Sequence, residues 1–456
     1  MDFATKKLNG LKDYLKKHLS FGDSKSILEY EGLVKTVAFE GKIKEIWTEA
    51  FRTAINENEH VYIPEGEYYL DDTVILPSNR KITADKNAFV CLTKGTKVVM
   101  FRTQHVIDGT RRLVTLDEPY AENVEIEGGV WATEYNCRAK YGQIGAFDNE
   151  DSMHGVHALM LFSGVKNLCI KNAVYKNTAT FAVQIGRTEN FLVENVEFQN
   201  CFADGVHLNG EIKNGVVFDV KGHTEDDLVA LNAYDWDNST INNGLMEDVT
   251  ISRIYSTGGE CHCMRILAGV TAESMGSIDC SINNVHISYM TGVQTYKLYL
   301  QTPAYVGVPE GAKVGNIGNI TFENISVVKD RPSDNGQNYY DKDMITGHFG
   351  AFEISTNIDK ITFRNVDFKT NLPDYKDTVH FITVGPKSWY LAEQNVEIFD
   401  PYISSTVNEI VYENVMVDGQ KVEDISDYVK EVIFTNIYPS EYSSGSGKIK
   451  KITKIN

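Results

Sequence analysis

One short phrase recurs along this chain, and it limits the available folds more than any other feature. An Asn or Asp leads a run of alternating apolar residues, and a second Asn or a Gly closes it. The phrase reads Asn123-Val124-Glu125-Ile126-Glu127-Gly128, Asn167-Leu168-Cys169-Ile170-Lys171-Asn172 and Asn190-Phe191-Leu192-Val193-Glu194-Asn195. It returns as Asn214-Gly215-Val216-Val217-Phe218, Asp248-Val249-Thr250-Ile251 and Asn284-Val285-His286-Ile287, with later copies led by Asn319, Asp359 and Glu409. The starts at 167, 190 and 214 are 23 and 24 residues apart, and the next steps are 34 to 36.

A coil of about 22 to 24 residues with insertions suits a parallel β-helix, in which each turn of backbone buries its apolar face only by stacking on the next. Short strands need the period-two alternation, and the bends need Asn and Gly. A sandwich or propeller also alternates, but it does not repeat one phrase at single-coil spacing. The sequence therefore predicts an all-β chain, a single-stranded right-handed parallel β-helix, with stacked Asn side chains forming ladders along its axis.

Such a column leaves sheet ends that must be covered. Leu8, Leu11, Leu15 and Leu19 fall at spacings of three and four on a Lys-rich stretch, and Ile46, Trp47, Ala50, Phe51, Ala54 and Ile55 make a wider stripe over 44–56. Both patterns are amphipathic helices. Packing against the larger body is the simpler reading, and membrane-surface binding the alternative. The expected organisation is an N-terminal helical cap at 1–60, the β-helix with the active site at 61–440, and a C-terminal tail at 441–456. In that tail Ser443-Ser444-Gly445-Ser446-Gly447 reads as a flexible stretch before a final strand or loose end. Insertions at 136–153 and 302–314 are expected to wall a cleft.

Composition removes several function classes. Lys+Arg 44 against Asp+Glu 63 leaves a net charge of -19, which repels a phosphate backbone, so no nucleic-acid partner is expected. No apolar run approaches the roughly 18 residues that span a bilayer. The lysines at 6, 7, 12, 16 and 17 interrupt any signal-like apolar core, so a cytoplasmic location is expected. Seven cysteines are an odd set, which argues against a disulfide framework. Cys261 and Cys263 lack both Cys-x2-Cys spacing and a second pair, so no metal is expected. There is no Walker spacing and no Gly-x-Ser-x-Gly, and no cofactor is expected. The oligomeric state is left open.

Two segments place acids where a purely structural coil has no use for them. One is Phe202-Ala203-Asp204-Gly205-Val206-His207-Leu208-Asn209; the other is Gly222-His223-Thr224-Glu225-Asp226-Asp227-Leu228-Val229-Ala230-Leu231-Asn232. Asp204 stands 22 residues before Asp226 and 23 before Asp227, one coil of the repeat. Neighbouring rungs lie about 4.8 Å apart, so three carboxylates meet on one surface. Crowded like charges raise the pKa of one member while the others stay ionised, the division of labour that glycoside hydrolysis requires. Turn capping and calcium binding by Asp226-Asp227 are the plainer readings, and the one-coil offset to Asp204 argues against them.

These residues resemble glycoside hydrolase family 28, the polygalacturonase-like family of the pectinase-like β-helix superfamily. Asp204-Gly205 is similar to its Asn-Thr-Asp-Gly, with Phe202-Ala203 in place of Asn-Thr, and Asp226-Asp227-Leu228-Val229-Ala230-Leu231-Asn232 is similar to its Asp-Asp-x-x-Ala-x-Asn. Val61-Tyr62-Ile63-Pro64-Glu65-Gly66 and Gly128-Gly129-Val130-Trp131 resemble the opening coils of such proteins. The resemblance implies an inverting glycosidase that cuts a poly- or oligosaccharide, with Asp226 as acid and Asp204 and Asp227 holding the attacking water. His262, in Gly258-Gly259-Glu260-Cys261-His262-Cys263, stands for the family's Gly-His-Gly. Its Arg-Ile-Lys has two incomplete candidates, Arg265-Ile266-Leu267, which lacks the lysine, and Tyr296-Lys297, which lacks the arginine.

Val206 and Leu208 alternate inward, which turns His207 and Asn209 outward as candidate sugar ligands. Asn232, Asp235 and Trp236 are further candidates, and His223 precedes the acidic pair. A β-helical polysaccharide lyase and a non-catalytic glycan-binding scaffold are the rival functions.

Overall fold

Asn and Asp stand at the bends because the backbone there turns left-handed. Asn123, Asn167, Asn190, Asn214, Asp248 and Asn284 have φ between 54° and 66°, a region that short amide and carboxylate side chains tolerate and most others do not. Their side chains then bond along the stack. Asn123 Nδ2 donates to Asn79 Oδ1 at 2.8 Å, Asn167 to Asn123 at 2.9 Å, Asn190 to Asn167 at 3.4 Å and Asn214 to Asn190 at 2.7 Å. The expected ladder is present, and a second one joins Asn324, Asn365 and Asn414 at 3.0 and 2.8 Å.

The computed structural model describes residues 1–456 apart from 40, 97, 105–118, 135–157, 236–240, 259–261, 271–276, 302–310, 331–348, 373–378, 386–403, 432, 435–444 and 456. The fold is an all-β, right-handed parallel β-helix. Its residues divide into two compact units: Met1–His207 with Lys213–Leu228 and Asn238–Asn242, and Leu208–Ile212 with Val229–Asp237 and Asn243–Asn456.

In the first unit the strand Ala158–Lys171 lies parallel on Phe181–Cys201, from Ala158 opposite Phe181 to Lys171 opposite Glu194, a constant offset of one coil. Leu168 and Ile170, opposite Phe191 and Val193, flank the pair Cys169 and Leu192, which therefore points to the other face. Helix α1 (Phe3–His18) rests there. Its Ala4, Leu8, Leu11 and Leu15 form one buried cluster with Cys169, Leu192, Val216 and Phe218, and Asp2 caps its first turn by accepting from Thr5 N at 2.7 Å. Helix α2 (Thr48–Glu57) places Phe51 against Tyr68 and Phe101, with ring centroids 6.1 and 6.2 Å away. Phe101 in turn meets Trp131 edge-on at 5.5 Å. The two amphipathic stretches thus cover different surfaces: α2 closes the aromatic interior of the first coils, and α1 shields an apolar flank of the sheet.

In the second unit Cys263–Gly269, Thr295–Gln301, Phe349–Ser355 and Val379–Val384 stack as parallel rungs. Aromatic rings fill its interior, with Tyr296 stacked on Phe352 at 4.8 Å and Phe322 on Phe363 at 5.8 Å. Gly445–Ile449 and Ile452–Lys454 pair in parallel with Ser405–Val417, so the tail supplies a last rung. Residues 443 and 444, the insertion at 136–153 and most of that at 302–314 lie outside the described residues. Among the described residues no helix is long and apolar enough to cross a membrane.

Candidate active site

The backbone brings the acids together. Ala182 N donates to Asp204 O at 2.9 Å, Gly205 N to Asp227 O at 3.0 Å and Val206 N to Leu228 O at 3.0 Å, so three successive coils are fastened at this corner. The approach is close enough to require glycine. A Cβ on Gly205 would lie 2.6 Å from Leu228 O and 3.0 Å from the Phe198 ring; one on Gly222, whose φ is 138°, would lie 2.0 Å from Phe198 O.

Asp204, Asp226 and Asp227 each offer a carboxylate oxygen within 4.8 Å of the others'. All are buried, at 2, 8 and 0 % exposure, with Asp226 the most accessible. Asp227 N donates to Asp226 Oδ1 at 3.1 Å, and Thr224 Oγ1 donates to the Asp226 carbonyl at 2.8 Å, which ties the acidic pair to its own turn. Like charges this close disfavour full ionisation of all three, so such a set can present a proton donor and an acceptor side by side. Among the described residues these three are also the one group of His, Cys, Asp and Glu side chains close enough to hold a metal ion.

His207 is on the same corner, but it is buried at 1 % exposure rather than facing solvent. Its Nδ1 lies 2.6 Å from Asp204 Oδ2, and its ring stacks on Phe181 with centroids 3.9 Å apart and planes 8° from parallel. The sequence reading had no place for Phe181, although it stands 23 residues before Asp204, one coil earlier. His223 sits apart from this contact, with Nε2 3.0 Å from Glu225 Oε1.

The other candidates belong to the second unit. Asn209, expected to face outward, is buried at 0 % exposure, and Asn232 and Asp235 are buried at 2 and 4 %. Asn232 Oδ1 has no hydrogen-bond partner among the described residues. Arg265 and Lys297 are register partners on adjacent strands, so the two candidates for the Arg-Ile-Lys pattern stand on neighbouring rungs. Lys297 is in turn opposite Glu353, to which Tyr299 Oη donates at 2.5 Å. Neither Tyr299 nor Glu353 drew attention in the sequence, since the steps between coils lengthen in this part of the chain. The carbonyl of His262 accepts from Gln294 N at 2.7 Å, and its side chain is partly exposed. Trp236 and the rest of the glycine-rich stretch at 259–261 lie outside the described residues.

No family model matches the sequence, and no curated protein matches it. Among solved structures the chain is similar to a hyperthermoactive exopolygalacturonase from Thermotoga maritima, at 13 % identity and a TM-score of 0.49, over 92 % of this chain and 98 % of that one. It is similar to the surface protein and adhesin PfbA of Streptococcus pneumoniae at 13 % identity and a TM-score of 0.45, over 95 % and 97 %. It is also similar to the family 28 exopolygalacturonase of Yersinia enterocolitica at 12 % identity and a TM-score of 0.46, over 95 % and 78 %.

Proposed function

We propose that this chain is a glycoside hydrolase that cleaves a poly- or oligosaccharide, with Asp226 as general acid and Asp204 and Asp227 activating water. The supporting observation is the cluster itself: three buried carboxylates, contributed by two coils, with oxygens within 4.8 Å of one another. Asp226 takes the acid's role because it is the most accessible of the three and so the one able to reach a leaving oxygen.

Inversion is the stereochemical outcome that the family resemblance implies: one carboxylic acid protonates the leaving oxygen while a carboxylate base activates a water on the opposite face of the sugar. The net charge of -19 supplies no long-range attraction to a polyanion, which favours a neutral glycan.

Incubation with a panel of defined oligosaccharides, with product anomers followed by NMR, tests the reading. Hydrolysis with inversion that is lost in Asp226→Asn is the expected result. Unsaturated, ultraviolet-absorbing products and sensitivity to chelator would mark a lyase instead. Binding without turnover, unchanged in Asp226→Asn, would mark a scaffold.

A further inference from the structure

His207 is more deeply placed than a sugar ligand needs to be. Its ring is held flat against Phe181 at 3.9 Å, and its Nδ1 faces Asp204 Oδ2 at 2.6 Å, with both polar side chains at 3 % exposure or less. The stack fixes the plane of the imidazole, and the hydrogen bond fixes which nitrogen meets the acid. With a proton on Nδ1, the imidazole donates to Asp204 and the carboxylate accepts. A hydrogen bond made to the charged form of a carboxyl favours that form.

We infer that His207, clamped by Phe181, is a positioning residue that holds Asp204 as the ionised, water-activating member of the set, leaving the retained proton to the Asp226–Asp227 pair. The inference rests on the glycosidase reading of the three acids and adds the assignment of which one serves as base. His207 itself touches neither substrate nor water in this scheme. It acts through Asp204, fixing its rotamer and its charge.

Two arms test it. Imidazole 15N NMR of the wild-type protein, with His207 assigned by its absence in His207→Asn, reads the tautomer without substrate. A protonated Nδ1 with a far-downfield proton is expected; a bare Nδ1 overturns the inference. The kinetic arm uses any oligosaccharide the wild type cleaves. His207→Ala is expected to lower kcat about 100-fold, as misplacement of a reacting group does, with KM within about 3-fold. His207→Asn, whose side-chain NH2 replaces the Nδ1 donor, should recover most of that loss. Unchanged kcat in His207→Ala, where Asp226→Asn abolishes turnover, overturns the inference. If His207→Ala does not fold, Phe181→Leu removes the clamp and leaves the imidazole, and an unchanged kcat there is equally contrary. A wild type that cleaves no glycoside removes the glycosidase reading, while the NMR arm still decides the His207–Asp204 bond.

Discussion

The amide of Gly205 donates to the carbonyl of Asp227 at 3.0 Å, so the peptide that follows one acid is bonded to an acid one full coil later in the chain. Acids distant in sequence are thus made neighbours by the same ladder that holds the fold together. The site is a property of the coil, and changes to the coil should be felt there.

Gly205→Ala drives a Cβ to within 2.6 Å of Leu228 O, where backbone cannot yield easily. A loss of about 1 to 3 kcal/mol in urea unfolding is expected, typical of overpacking, together with reduced hydrolysis. Gly10→Ala is the control: nothing lies within 4 Å of its Cβ, in the middle of α1, and it should stabilise by about 0.5 to 1 kcal/mol.

Asn190 combines a φ of 56° with a place in the ladder, where it donates to Asn167 and accepts from Asn214 at 2.7 Å. Asn190→Ala should cost about 1 to 3 kcal/mol through backbone strain and lost bonds. Asn190→Gly removes the bonds but keeps the backbone at ease, so its melting temperature should fall less. Equal losses in the two variants would show that the left-handed bend is not what the position selects.

Lys81 and Lys171 flank Glu127 at 3.0 and 3.5 Å. Burial pushes the Glu127 carboxyl up, and the two lysines more than reverse this, leaving it below the usual carboxylate range. A depressed folded-state pKa contributes stability that is present above the unfolded value of about 4.3 and is lost as pH falls through the folded value. The melting temperature should therefore drop on acidification below about pH 4.5, and Glu127→Gln should flatten that part of the curve. An unchanged slope in the variant would exclude this contribution.

Cys169 lies beneath α1, and burial pushes its thiol up to about 12. It should resist alkylation in the native protein at pH 8, because little thiolate forms. Replacing Leu8 and Leu11 by Asp removes the apolar stripe, so peptide mapping by mass spectrometry should then find Cys169 modified. Protection that persists in this variant would mean that the flank stays closed without the helix.

The fold was readable in the sequence because its unit is local. The Asn at each bend and the alternation after it carry their own physical reasons, and Asn123, Asn167, Asn190 and Asn214 stand where that logic puts them. The proximity of Asp204 to the acidic pair followed from the same spacing. Depth was not readable: period-two alternation says which way His207 points, not that Phe181 lies flat upon it. The seat of α1 also escaped notice, because outward-facing Cys169 and Leu192 look like ordinary strand residues until a helix is found to cover them. Arg265 and Lys297, in separate motifs, became register partners only once the length of the intervening coil was known.

The central claim is that Asp204, Asp226 and Asp227 form one coupled acid–base set. Titration of selectively 13Cγ-labelled aspartate by NMR, with single Asn variants for assignment, tests it most directly. One of the three should keep its proton well above the ordinary aspartate value of about 3.9, and replacing either neighbour by Asn should bring that residue back down. Three independent titrations near the ordinary value, indifferent to their neighbours, would contradict it.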